Sequence, residues 1–124
     1  MIVGIGIDAV TIARFAHWHA KSDKQLKKIF SDEEITYCRS VPAKSAERFA
    51  VRFAAREALL KALSSIIQNL LFLQVSKACT ITGIPPRIYV DLSMLNIHKD
   101  RLTAHLSLSH TQTDAYAVVV VERI

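Results

Sequence analysis

The sequence predicts an α+β fold: a largely antiparallel sheet packed against one long helix and shorter N-terminal helices. Three observations carry this. Ala46–Leu63 is an Ala- and Leu-rich run without internal Gly or Pro, the strongest helical segment of the chain. Ile2–Asp8 alternates at period two, the signature of a strand. Four β-rich segments then follow one another near the C-terminus, separated by turn residues. Strand, then helices, then a run of strands is an α+β order, not the alternation of βα units.

The elements follow in chain order. In Ile2–Asp8, Val3, Ile5 and Ile7 fall on one face and Gly4, Gly6 and Asp8 on the other. Thr11 caps a helix expected over Ile12–Ala20, and Lys21-Ser22-Asp23 breaks it. A short basic helix follows at Lys24–Phe30. Ser31-Asp32-Glu33-Glu34 reads as a capping box, opening a helix to Arg39 that Ser40-Val41-Pro42 ends. Ser45 is the expected cap of the long helix. Strands are expected at Val75–Thr82, Arg87–Leu92, Leu102–Ser109 and Tyr116–Glu122. Turns at Gly83–Pro86, Asn96–Asp100 and Thr111–Asp114 separate them.

Composition bounds the class. The 124 residues suit one domain spanning 1–124, and 51% hydrophobic content excludes disorder. Two cysteines, Cys38 and Cys79, build neither a disulfide framework nor a four-ligand zinc site, and fit a reducing compartment as packed thiols. Sixteen Lys and Arg against eleven Asp and Glu leave a net +5, which favours an anionic partner: nucleic acid, a phosphorylated small molecule or an acidic protein. Met1–Ile7 lacks the basic leader of a signal peptide, and Ile66–Val75 is too short to span a bilayer. The chain is expected to be soluble and cytoplasmic, with no membrane association.

Several residue groups are candidates for chemistry. Gly4 and Gly6 share a face with Asp8, so either a ligand approaches the sheet there or a helix packs closely. Phe49, Phe53, Glu57 and Lys61 form one helical stripe. Glu57 then sits at the buried boundary, where a carboxylate requires a partner or a metal, or else makes an ordinary pair with Lys61. Arg48, Arg52 and Arg56 form a second stripe, either a solvated face or a phosphate cradle. His110 ends the alternating Leu106–His110 segment at a strand end, where it is either structural or part of a site. The segment Gly4–Ala9 superficially fits G-x-G-x-x-A, but only three residues precede its first glycine, so no strand feeds a dinucleotide-binding turn.

The order of three motifs is more specific than any one. GIGIDAVTIAR at 4–14, RFAAREALLKAL at 52–63 and SLSHTQTDAYAVVV at 107–120 together resemble the holo-[acyl-carrier-protein] synthases, the short bacterial type of 4′-phosphopantetheinyl transferase. The resemblance covers essentially the whole chain. It implies transfer of phosphopantetheine from coenzyme A to a serine of apo acyl carrier protein, releasing 3′,5′-ADP, with Mg²⁺ required. It implies Asp8 and Glu57 as metal ligands, an arrangement that suits a hard cation also taking pyrophosphate oxygens. Lys61 would neutralise charge on the pyrophosphate and protonate the leaving phosphate. The serine proton would pass to a metal-bound water or a nearby carboxylate, a choice the sequence leaves open.

By the same resemblance, Lys44 and Arg52 grip the nucleotide phosphates and His110 belongs to the nucleotide site. Gly83-Ile84-Pro85 is similar to a G-K-P turn against the adenine, with Ile84 in place of Lys. Arg14, with Lys21 and Lys24, resembles a basic first helix that docks the carrier protein. A homotrimer with sites between subunits is implied, and Ile66–Val75 is compatible with either that or a monomer core. The chain departs from the family where a Gly-rich turn usually follows the long helix: Ser64-Ser65-Ile66-Ile67-Gln68-Asn69 stands there. Arg56 also replaces the usual Lys. The alternatives are a basic polyanion-binding module or an inactive homologue of the same fold. Against the first, the aromatics are not interleaved with the basic residues on a strand as single-strand binding requires.

Overall fold

The computed structural model describes residues 1–98 and 101–124. Strand β1 (Ile2–Thr11) is the first edge of a three-stranded sheet; β5 (Asp114–Arg123) is its centre and β4 (Leu102–His110) the other edge. Both pairings are antiparallel, with Ile7 opposite Val118 and Ser107 opposite Val118 from the other side. Helix α3 (Ser45–Leu63) lies across one face of this sheet. The short helices α1 (Asp23–Leu26) and α2 (Asp32–Arg39) precede it. Helix α4 (Phe72–Ala78) follows, leading into a separate antiparallel hairpin of β2 (Cys79–Thr82) and β3 (Arg87–Val90). The α+β architecture is thus as the sequence predicts. No described helix is long and apolar enough to cross a membrane.

The glycines of β1 explain how α3 sits. A Cβ on Gly4 would fall 2.0 Å from the Ala62 carbonyl oxygen, and one on Gly6 would fall 1.8 Å from that of Ala58. Both partners are backbone atoms that no side-chain rotation can clear. The face cleared at Gly4 and Gly6 therefore admits the helix, and Asp8, next along it, receives the side chain of Lys61 from α3. Ala54, Ala58 and Ala62 present the small surface that allows this approach and pack with Ala117, Val119 and Val121 in the first core cluster. A second cluster is aromatic: Phe15, Phe30, Phe49 and Phe53 are buried around the half-buried Trp18. Trp18 meets Phe53 edge-on at 5.7 Å, the geometry favoured by ring quadrupoles. Cys38 and Cys79 are free and buried; burial pushes their thiols up to about 12 and about 11, so both pack as small apolar groups.

Five local expectations are corrected. Ile12–Ala20 is not an α-helix but two 3₁₀ turns, Ile12–Phe15 and Trp18–Ala20, because the Ile12 amide bonds the Thr113 carbonyl at 2.9 Å and extends β1 pairing to Thr11. The helix expected at Lys24–Phe30 is regular only over Asp23–Leu26, and Ser22 caps it through a capping box with Gln25. Ser45 does not cap α3: Lys44 occupies that position, while the Ser45 hydroxyl is buried with no hydrogen-bond partner among the described residues. Val75–Thr82 is not one strand. Phe72, Val75 and Ala78 recur at helical spacing against the two cores, Gln74 accepts from the Leu71 amide at 2.8 Å, and extension starts only at Cys79. The strand expected to reach Leu92 stops at Val90, where Asp91 caps a 3₁₀ turn by accepting from the Ser93 amide at 3.1 Å. The turn expected at Asn96–Asp100 lies outside the described residues at positions 99 and 100.

Candidate active site

Asp8, Glu57 and Lys61 converge where β1 crosses α3. Lys61 Nζ donates to Asp8 Oδ1 at 3.1 Å and to the Ile7 carbonyl at 2.9 Å. Asp8 is mostly covered whereas the Lys61 head is half exposed. Glu57 lies one helical turn before Lys61 and is partly buried. Burial raises its pKa, the Asp8 carboxylate raises it further, and Lys61 and Arg14 pull the other way. Two carboxylates thus sense one another across a site held by one lysine. The ordinary Glu57–Lys61 pair is not what forms: Lys61 turns to Asp8 instead.

Arg14 belongs to this neighbourhood. Its guanidinium stands over the Phe53 ring at 4.8 Å, and its charge reaches Glu57. Lys21 follows with Nζ over Trp18 at 5.2 Å, and Lys24 is exposed in the first turn of α1. The N-terminal segment thus carries the basic residues the sequence singled out, but Arg14 is on a 3₁₀ turn, Lys21 just past the next one and Lys24 on α1, not on one helix.

The other candidates fall in three places. At the N-terminal end of α3, exposed Lys44 caps the helix, and His110 Nε2 lies 2.9 Å from Glu47 Oε1 while its Nδ1 donates to the Thr111 carbonyl at 3.2 Å. Further along, Arg52 and Gly83 line a pocket of about 230 Å³ together with Glu34 and Tyr37. Gly83 has φ +90°, a left-handed conformation that favours glycine. Pro85, joined to Ile84 by a cis peptide bond, lines a different hollow beside Arg87 and His105. A hollow of about 720 Å³ between Ile29–Asp32 and Ser76–Thr80 holds none of the candidates.

The arginine stripe is not a solvated face. Arg48 stacks on Tyr37 at 4.0 Å and donates to the Tyr37 carbonyl. Arg52 is 6% exposed and Arg56 fully buried. Sequence reasoning missed two partners here. Glu34 was legible only as a helix cap, yet its carboxylate also takes both Arg56 amino groups. Glu47 carried no signal beyond one acidic residue in the first turn of α3. In the departing segment, the Ser64 hydroxyl donates to the Leu60 carbonyl at 2.6 Å and so is committed to its own helix. Asn69 takes the positive φ of 62° that closes this turn, a conformation Asn tolerates better than most residues.

Comparison with known proteins shows the family. The family model of the 4′-phosphopantetheinyl transferase superfamily matches residues 4–121. A holo-[acyl-carrier-protein] synthase of Treponema denticola is 36% identical over 126 residues, covering 98% of this chain and 99% of the relative. That of Geobacillus kaustophilus is also 36% identical, covering 100% and 92%. Among solved structures, a Helicobacter pylori holo-[acyl-carrier-protein] synthase in complex with coenzyme A superposes with a TM-score of 0.71 at 32% identity, covering 95% of this chain and 99% of the other. A Bacillus anthracis synthase, in complex with coenzyme A (3′,5′-ADP), gives 0.72 at 29% identity, covering 98% and 97%. The chain therefore belongs to the 4′-phosphopantetheinyl transferase superfamily, and within it to the holo-[acyl-carrier-protein] synthases.

Proposed function

We infer that this chain, as one transferase domain over residues 1–124, transfers 4′-phosphopantetheine from coenzyme A to a serine of apo acyl carrier protein, releasing 3′,5′-ADP. The observation that carries this is the Asp8–Glu57–Lys61 cluster, in a chain whose residues 4–121 match the superfamily model. Two carboxylates of which one resists ionisation alone suit a divalent cation, and Asp8 and Glu57 would hold Mg²⁺ as its hard oxygen ligands. The cation supplies charge neutralisation on the pyrophosphate. No zinc-type cluster competes: among the described residues no three His, Cys, Asp or Glu side chains stand close enough to bind a metal together.

The remaining chemistry belongs to side chains. The serine oxygen attacks the β-phosphorus of coenzyme A and passes its proton to a water or a nearby carboxylate, the bond from that phosphorus to the oxygen of 3′,5′-ADP breaks, and the 4′-phosphopantetheinyl group ends on serine as a phosphodiester. Lys61, fixed by Asp8 and the Ile7 carbonyl, is the cation next to the departing phosphate and gives it a proton. Arg52 and Lys44 hold the nucleotide phosphates, His110 orients the nucleotide, and Gly83 with Pro85 faces the adenine. Arg14, Lys21 and Lys24 receive the acidic carrier protein. Working in the cytoplasm as a homotrimer, the protein completes these separate groups across subunit boundaries.

The test is direct. Purified protein incubated with coenzyme A, Mg²⁺ and apo carrier protein should add one phosphopantetheine mass to the carrier and release 3′,5′-ADP. An unmodified carrier under conditions where another synthase modifies it would leave only the inactive-homologue reading.

A further inference from the structure

Glu34 and Arg56 lie outside the Asp8–Glu57–Lys61 cluster and form the most buried ion pair among the described residues. Arg56 donates through Nη1 to Glu34 Oε2 at 2.8 Å and through Nη2 to Oε1 at 2.6 Å. Nη2 also donates to the Cys79 carbonyl at 3.0 Å. Neither side chain is exposed to solvent. Glu34 in turn holds the Ser31 cap and accepts from Thr80 Oγ1 at 3.3 Å, so the pair ties α2, α3 and β2 together.

Arg52 stands one turn before Arg56 and is bound much less firmly. Its Nε is 3.9 Å from Glu34 Oε2, beyond hydrogen-bond range, and has no acceptor among the described residues. Its Nη1 reaches only the Arg48 carbonyl, at 3.3 Å. The guanidinium leans over Tyr37 at 4.7 Å and lines the pocket that contains Gly83. Glu34 is therefore a buried anion within reach of two arginines, and one of them already satisfies both its oxygens.

We propose that Arg56 is a positioning residue for the phosphate subsite: by neutralising Glu34 it leaves the Arg52 guanidinium available to an anion. Without Arg56, Glu34 would take Arg52 as its charge-assisted partner, and the pocket would lose its cation. This rests on Arg52 being a ligand of the nucleotide phosphates. It also gives the arginine at position 56 a defined role, which a lysine fills by charge alone.

A plain structural salt bridge predicts that deleting either half weakens binding alike. The proposal predicts opposite behaviour. Binding of 3′,5′-ADP by titration calorimetry and the KM for coenzyme A are measured on variants whose circular dichroism matches wild type. Arg56→Gln should weaken 3′,5′-ADP about tenfold and raise that KM, with kcat within about twofold, the scale of one charge-assisted contact. Glu34→Gln should bind no more weakly than wild type. The double variant Glu34→Gln/Arg56→Gln should recover most of the loss, and Arg56→Lys should stay near wild type. Equal weakening by Glu34→Gln and Arg56→Gln overturns the proposal, as does wild-type affinity in a folded Arg56→Gln. If Arg56→Gln does not fold, Glu34→Gln decides: weaker binding sinks the idea. Arg52→Gln separates the two layers, since unchanged affinity there removes Arg52 as a phosphate ligand altogether.

Discussion

Glu57 carries an internal conflict that is useful to the site. Its carboxylate is partly buried and faces Asp8, so the folded chain holds its proton more tightly than the unfolded chain does. That contribution to stability is present below the ordinary glutamate range and is lost as pH rises through the elevated folded pKa. Ionising this carboxylate therefore costs the folded chain stability, which a bound cation would restore. Glu57→Gln should melt higher than wild type at pH 7 without divalent ions, and the gap should shrink towards pH 4. Added Mg²⁺ should raise the wild-type Tm and leave that of Glu57→Gln unmoved. A Glu57→Gln variant that melts lower at pH 7 would refute this account. Asp8→Ala and Glu57→Ala should each lower turnover by at least about a thousandfold while remaining folded, because a metal ligand contributes several kcal/mol to the transition state. Near-normal turnover of either at saturating Mg²⁺ would dismiss the metal assignment.

The short helices depend on caps more than on propensity. Helix α2 begins at Ser31, whose hydroxyl accepts from the Glu34 amide at 3.2 Å and also receives the Thr80 hydroxyl at 2.9 Å. Helix α1 has only the Ser22–Gln25 box, which is exposed to solvent. Ser31→Ala should therefore cost about 1–2 kcal/mol in urea denaturation, and Ser22→Ala about half as much. Equal losses would mean that the tie from Ser31 to β2 adds nothing. The same contrast shows why one helix was legible and another was not. Ser31-x-x-Glu34 is a local signal acting over three residues, so it could be read directly. The α4 helix depends on Val75 and Ala78 meeting α3 and the sheet, and its β-rich composition pointed the other way.

Across the whole molecule, the outer sheet face is apolar along β1 and β5, turns polar at His105, Ser107 and Ser109 of β4, and has no covering element among the described residues. Ile5 and Ile7 on β1 are 61% and 63% exposed, next to Val118, Val120 and Tyr116 on β5. The Ile66–Val75 run, by contrast, is largely spent within the chain: Val75 is buried and Ile66, Ile67 and Leu70 pack on the first cluster. If subunits associate as proposed, the sheet face is the surface available to them. Ile5→Glu/Ile7→Glu should then convert trimer to monomer by light scattering and lower activity at least about tenfold, since separate parts of the site would no longer meet. A wild-type monomer with full activity would eliminate the trimer. Carrier docking belongs to the same scale. The charge of Arg14 reaches Glu57, so changing it would disturb the proposed metal ligands, and Lys21→Glu/Lys24→Glu is the cleaner variant. It should raise the KM for carrier protein about fivefold or more at low salt and leave that for coenzyme A unchanged, because rim charges act through steering. An unchanged carrier KM would reduce both lysines to solvated charges.

What the sequence determined by itself was whatever depends on short-range pattern: the α+β order, α3, the Ser31 box and the β-rich C-terminal half, while Asp8, Glu57 and Lys61 stood out together only through the resemblance of their separate motifs to a family. Each of those patterns is encoded by neighbours within a few residues, where periodicity and capping act. Only the tertiary structure decided how those pieces meet. It showed that Gly4 and Gly6 admit a helix, because two backbones approach there closer than any Cβ permits. It gave Lys61 to Asp8 in place of Glu57, and turned the arginine stripe inward onto Glu34 and Tyr37. Charges separated by twenty to fifty residues choose partners by burial and distance, and neither quantity exists until the chain has folded.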